Sequence, residues 1–142
     1  MRLSKFGANG AFLWTVDGTT DKELDGHLHA ADIDSQGRIV VGNDGNGRIV
    51  YLDPNGNVLD AFSAGECDVT VDPDGNVYCK SFIDPGEISD VDVYSPSHAL
   101  IGSWSGAEMI LGSAPQFGPN GEILALDRDG GIVKLKVTLS PA

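Results

Sequence analysis

Two histidines one residue apart, His27 and His29, are the residues of this 142-residue chain best typed for chemistry. On a strand, that spacing puts both imidazoles on one side, and neutral imidazole is a common ligand for zinc and other transition metals. Glu66 or Asp68 would supply the carboxylate such a site wants, and Gln116 is a further polar group that aligns with them. These five residues are the candidate ligand-binding set, with His27 and His29 as the metal ligands. Strand histidines without other fixed ligands more often bond to backbone or water. The first expectation is therefore no cofactor, and a bound zinc or calcium ion is the second.

Other groupings are weaker. Asp72-Pro73-Asp74-Gly75-Asn76 and Asn43-Asp44-Gly45-Asn46-Gly47 bring oxygen ligands into glycine turns. Neither keeps the ligand spacing or the closing glutamate of an EF-hand, and hairpin turns account for both. Ser103-Trp104-Ser105-Gly106 lacks the Gly-x-Ser-x-Gly elbow and has no histidine near it in sequence. No glycine-rich loop opens a helix to cradle phosphate.

Charge narrows the partners. Asp and Glu outnumber Lys and Arg by 21 to 9, for a formal net charge of −12. Nucleic acid requires cations brought to its phosphates, and anionic membranes repel such a surface. No segment approaches the ~18 apolar residues of a membrane span. Met1-Arg2-Leu3-Ser4-Lys5 lacks the apolar core of a secretory signal. Cys67 and Cys79 lie on consecutive expected strands, and folding about the turn at residues 72–76 sets them about one residue pair out of register. That favours two buried free thiols over a bridge, and free thiols point to the cytoplasm.

The elements that must position these residues are short strands. Nineteen glycines and seven prolines punctuate runs of valine, isoleucine and leucine, which reads as many turns. Residues 27–62 hold four apolar runs separated by Ser35-Gln36-Gly37, a loop at residues 42–47, and Asp53-Pro54-Asn55-Gly56. This is one small antiparallel sheet. The pattern returns at residues 66–104 and, one strand short, at residues 114–138. Residues 1–16 match only its outer half: Arg2-Leu3-Ser4-Lys5-Phe6 aligns with Arg48-Ile49-Val50-Tyr51-Leu52, and the turns Asn9-Gly10 and Asn55-Gly56 coincide. Turn glycines Gly37, Gly75 and Gly121 recur at 38 and then 46 residues, which brackets the repeat of propeller blades. Lys22 to Leu24 is too short to nucleate a lasting helix, and residues 107–111 allow a turn at most. The chain is expected to be all-β, a single domain over 1–142 built as about three four-stranded blades.

The units resemble NHL repeats. Ile33-Asp34-Ser35-Gln36-Gly37-Arg38-Ile39-Val40-Val41, Gly47-Arg48-Ile49-Val50-Tyr51-Leu52-Asp53-Pro54-Asn55-Gly56 and Val71-Asp72-Pro73-Asp74-Gly75-Asn76-Val77-Tyr78 carry the likeness. His98 stands where the outer-turn glycine belongs, and residues 80–90 make a longer loop than the pattern allows. The resemblance implies a propeller whose inner strands line a channel, with His27, His29, Glu66, Asp68 and Gln116 at the strand entrances. It implies a non-catalytic binding or scaffold module for a protein or small ligand. The alternative it carries is a metal-dependent lyase or lactonase-like hydrolase. RNA binding, known in some NHL propellers, lacks a basic face here.

About three blades do not close a ring of the usual ~4–8, and an open arc would expose two apolar sheet faces. A homodimer closing six blades is expected, residues 11–16 of one copy lying beside residues 132–137 of the other. The remaining possibility is a fragment of a longer propeller. Trp14 and Trp104, at the ends of outermost strands, are expected to staple neighbouring blades. The apolar loop at residues 106–111 is expected at the subunit seam.

Overall fold

A computed structural model describes residues 1–81, 90–105, 115–118, 122–126 and 132–135. The expected turn at Asn120-Gly121, the loop at 106–111, most of the long loop after Lys80, the loop at 129–131 and the Trp104 side chain lie outside the described residues. The chain divides into two compact units, Met1–Cys67 and Asp68–Ala142.

In the first unit, β1 (Arg2–Phe6) and β2 (Phe12–Asp17) form a two-stranded sheet. A single 3-10 turn, Lys22–Leu24, follows and is capped by Asp21, whose carboxylate accepts from the Glu23 amide. Then β3 (Leu28–Ile33), β4 (Ile39–Asn43), β5 (Arg48–Leu52) and β6 (Val58–Ser63) make an antiparallel meander in the order β3-β4-β5-β6. β3 starts two residues earlier than the apolar run suggested, because a register slip between Leu28 and Ala31 lets it continue past its bulge.

The two central strands explain their composition. β4 is buried along its whole length, and β5 at every residue after Arg48. A strand covered on both faces needs apolar residues at successive positions, which is why Ile39-Val40-Val41 and Ile49-Val50-Tyr51-Leu52 do not alternate. One face carries Leu28, Ile39, Val41, Val50 and Leu52 with Leu24, and Leu3, Trp14 and Val16 of the first hairpin pack against this cluster. On the other face Tyr51 stacks on Phe62, with ring centroids 6.3 Å apart, and the Arg38 guanidinium lies 4.6 Å from the Tyr51 ring.

The turns share one chemistry. Asp34, Asp53 and Asp72 each open a tight turn closed by a glycine at positive φ: Gly37 (78°), Gly56 (91°) and Gly75 (85°). Each aspartate uses one carboxylate oxygen to accept two backbone N–H groups of its own turn, at 2.8–2.9 Å. Its other oxygen takes the side chain of Arg38, Asn57 or Asn76.

In the second unit, β7 (Cys67–Val71, its first residue belonging to the other unit), β8 (Val77–Ser81), β9 (Asp90–Tyr94) and β10 (Leu100–Ser105) form a second four-stranded antiparallel meander. At its outer turn Ser95 replaces the aspartate and His98 adopts φ 66°, the glycine conformation that the repeat pattern marked there. A three-stranded sheet follows: β11 (Gln116–Phe117), β12 (Ile123–Leu126) and β13 (Ile132–Leu135), in that order. Phe117 meets Tyr78 edge-on, with centroids 4.8 Å apart.

The free-thiol expectation is corrected: Cys67 and Cys79, both buried, are disulfide-bonded. Counted from the bonded pair Asp72 and Asn76, the two cysteines share a face and sit one diagonal step apart. That distance rules out a bridge only on a perfectly regular ladder, and the corresponding β3–β4 hairpin is itself bulged.

Candidate functional site

The start of β3 and the β4–β5 loop build the site. The Asp44 amide donates to the His27 carbonyl at 3.0 Å, so the loop lies against the residues that precede β3. Their closeness depends on two glycines. A Cβ added at Gly45 would fall 2.6 Å from the Gly26 Cα, and one at Gly26 would fall 2.9 Å from the Gly45 Cα. Beneath them the buried Asn43 amide donates to the Glu23 and Asp25 carbonyls, both at 2.9 Å, which ties the 3-10 turn to β4. Glu23 forms an ion pair with Arg48 on β5. The frame is therefore held from three elements.

On this frame His27 and His29 converge on one carboxylate. His29 Nε2 lies 2.8 Å from Asp44 Oδ2, and His27 Nδ1 lies 3.8 Å from Oδ1. The His27 side chain is 67% exposed, His29 34% and Asp44 17%, so the cluster opens to solvent at the imidazoles and is closed at the carboxylate. Two exposed imidazoles braced by a sheltered carboxylate can exchange hydrogen bonds with a ligand in either protonation state. Among the described residues, no three His, Cys, Asp or Glu side chains are grouped so as to hold a metal ion.

Asp44 is the residue sequence reasoning missed as a histidine partner, having been read only as a turn oxygen. Counting pairs outward from the Gly37 turn would have brought it near His27, had the bulge in β3 been foreseen. Glu66 is exposed just ahead of β7, Asp68 is half-buried within β7, and Gln116 is exposed on β11 with its amide donating to the Pro115 carbonyl at 3.2 Å. Asp68 and Gln116 belong to the second unit.

The other titratable groups serve the scaffold. Burial, with Asp72 next to it, pushes the Tyr78 hydroxyl up to about 12, and burial likewise raises Tyr51 and Tyr94. The Asn57 side chain and amide hold Asp53 below the usual carboxylate value, and Thr19 does the same for Asp17. The Asp72-to-Asn76 string weighed for calcium spends its first carboxylate on its own turn. Trp14 donates from Nε1 to the Pro54 carbonyl at 3.2 Å, stapling the first hairpin to the neighbouring sheet.

No family model matches the chain, and no curated protein does. Solved structures do. A Bacteroides caccae protein of unknown function aligns with 93% of this chain and 48% of its own, at 18% identity and TM-score 0.61. The hydrazine synthase of Kuenenia stuttgartiensis aligns at 14% identity and TM-score 0.65, over 88% of this chain and 35% of its own. Virginiamycin B lyase from Staphylococcus aureus, a β-propeller, aligns at 12% identity and TM-score 0.55, over 85% and 44%. The architecture is consistent with propeller blades. At these identities the likeness is one of fold, and the chain spans less than half the length of each of these structures. No helix among the described residues is long and apolar enough to cross a membrane.

Proposed function

We propose that this chain is a non-catalytic binding module built of NHL-like blades, in which two copies close a six-bladed ring and present the β3 end to a protein or small ligand. The observation that carries this reading is the convergence of His27 and His29 on Asp44 over a frame fixed by Gly26, Gly45 and Asn43. Binding groups on loops held by a rigid scaffold are a recurrent arrangement. The turn aspartates Asp34 and Asp53, at the far end of the same sheet, are by contrast committed to their own backbone. Glu66, in the same unit, remains a further candidate contact of this reading.

The second reading is an enzyme of the metal-dependent lyase or lactonase kind. Imidazole and carboxylate are donor types that zinc accepts, and the meeting of His29 with Asp44 is the observation that favours it. Elemental analysis and zinc titration calorimetry separate the two. No bound ion and no heat of zinc binding support the module; a stoichiometric ion lost in His29→Ala supports the enzyme and overturns the module.

The Cys67–Cys79 bridge removes the argument from free thiols to the cytoplasm. Disulfides persist in oxidising compartments, so we place the protein there. Intact-mass measurement of protein alkylated before lysis tests this, and two alkylated thiols would restore the cytoplasmic placement.

A further inference from the structure

We propose that Asn46 is a site of spontaneous modification: the Asn46-Gly47 pair cyclises, loses ammonia and leaves an aspartate or isoaspartate in the loop that holds Asp44. No ligand enters this step, so it stands apart from the binding reading above.

The chemistry is that of asparagine followed by glycine. The backbone nitrogen of the following residue, on losing its proton, attacks the carbon of the side-chain amide. A new C–N bond closes a cyclic imide, the bond to the amide nitrogen breaks, and ammonia leaves carrying the proton. Water then opens the imide at either carbonyl, giving aspartate by one route and isoaspartate by the other. The net exchange is water for ammonia, with no oxidant or enzyme. Glycine favours the step because it has no Cβ to hinder the approach and its backbone turns freely.

The fold treats the Asn-Gly pairs of the described residues differently; Asn120-Gly121 lies outside them. At Asn9-Gly10 and Asn55-Gly56 the attacking nitrogen is held in a turn. The Gly10 amide donates to the Gly7 carbonyl at 2.8 Å, and the Gly56 amide to the Asp53 carbonyl at 3.0 Å. Gly56 is also buried, and a Cβ there would fall 3.1 Å from Val16 Cγ1. Asn9 Oδ1 is already engaged by the Ala11 amide at 3.1 Å. A nitrogen pinned in this way must give up its hydrogen bond before it attacks.

Asn46-Gly47 is under neither restraint. Among the described residues the Gly47 amide donates to no acceptor. Its carbonyl is the fixed end, accepting from the Ala64 and Gly65 amides at 3.0 and 3.1 Å. Asn46 is exposed, and its Nδ2 makes a long contact with the Glu23 carbonyl at 3.4 Å.

Conversion acts on the frame of the site. Either product puts a carboxylate where an amide faced the Glu23 carbonyl, and adds negative charge next to the Glu23–Arg48 ion pair. Isoaspartate also lengthens the backbone between Asn43 and Arg48, which pair across the loop. The same loop carries the Asp44 amide to the His27 carbonyl and Gly45 to Gly26. The cluster of His29 with Asp44 therefore loosens as Asn46 converts.

The test incubates the whole chain at mildly alkaline pH, folded in one series and unfolded in urea in another, and reads each asparagine by peptide fragmentation mass spectrometry. Conversion adds about 1 Da, the mass of water less that of ammonia. In the folded chain Asn46 should convert about fivefold or more faster than Asn9 and Asn55, the factor that one turn hydrogen bond contributes. In urea the three should approach one rate. The imidazole NMR signals of His27 and His29 should shift as Asn46 converts, and hold still in Asn46→Gln over the same incubation. Asn9 or Asn55 leading in the folded chain, or all three keeping pace there, overturns the proposal. A lead for Asn46 that is equally large in urea also overturns it, because the fold then plays no part. Imidazole signals that do not move while Asn46 converts overturn the loosening of the site.

Discussion

The hairpins β1–β2 and β5–β6 are the same local structure in two settings, and their difference isolates what neighbours contribute. Both fold about an Asn-Gly turn, and both bond the residue that opens the turn to the residue four positions on. Yet β5 is buried at four of its five residues, while β1 alternates, with Leu3 and Lys5 half-covered and Arg2, Ser4 and Phe6 exposed. Local turn chemistry therefore forms the hairpin, and covering on both of its faces turns it into core. The alternating pattern of β1 is the signature of a sheet covered on one face, and the continuous apolar run of β5 is that of a sheet covered on both.

The largest way to break this comparison is to cut the same kind of side chain from each hairpin. Leu52→Ala on β5 should cost about 2–5 kcal/mol, and Leu3→Ala on β1 clearly less, as read by urea denaturation. Equal losses would mean that the first hairpin is as deeply packed as the second. A covalent contrast comes next. The β7–β8 hairpin is bridged and the β3–β4 hairpin is not, so replacing both cysteines by serine should lower stability by about 2–3 kcal/mol for a loop this short, with β3–β4 amide protection unchanged. A smaller effect sharpens the turn chemistry. His98→Gly should raise stability by up to about 1 kcal/mol, because a side chain in the left-handed region is strained where Gly37, Gly56 and Gly75 are not.

The smallest effect is one of pH. Asp53 in the β5–β6 turn and Asp17 at the end of β2 have carboxyls held below their ordinary value of 3.8 by hydrogen bonds. A depressed folded value stabilises above the unfolded one, and that contribution is lost as pH falls below about 4. Asp53→Asn should therefore flatten the acid limb of stability against pH, measured by denaturation between pH 5 and 2. An unchanged slope would remove the turn carboxylate from the account.

The sequence made the sheets legible because their punctuation is chemical. Gly37, Gly56 and Gly75 sit where only positive φ closes the turn, and the aspartates three residues before them use their carboxylates there. The site was half legible. His27 and His29 announce themselves by type and spacing, but Asp44 reaches them only through a bulge in β3 and a glycine-to-glycine approach, neither of which has a period to read. The disulfide was misread because Cys67 and Cys79 sit one diagonal step apart by a residue-pair count, a spacing that read as too far for a bridge. Long-range pairings that depend on one irregular residue lie beyond what local patterns carry.

The most direct measurement of the account is amide hydrogen exchange at Arg2–Phe6 beside Arg48–Leu52 in the same sample. If burial and pairing on both edges are what separate the two hairpins, β5 amides are protected throughout, while β1 amides that do not face β2 exchange faster. If the amides of β1 and β5 are protected alike, the first hairpin is as firmly held as the second and the claim is wrong.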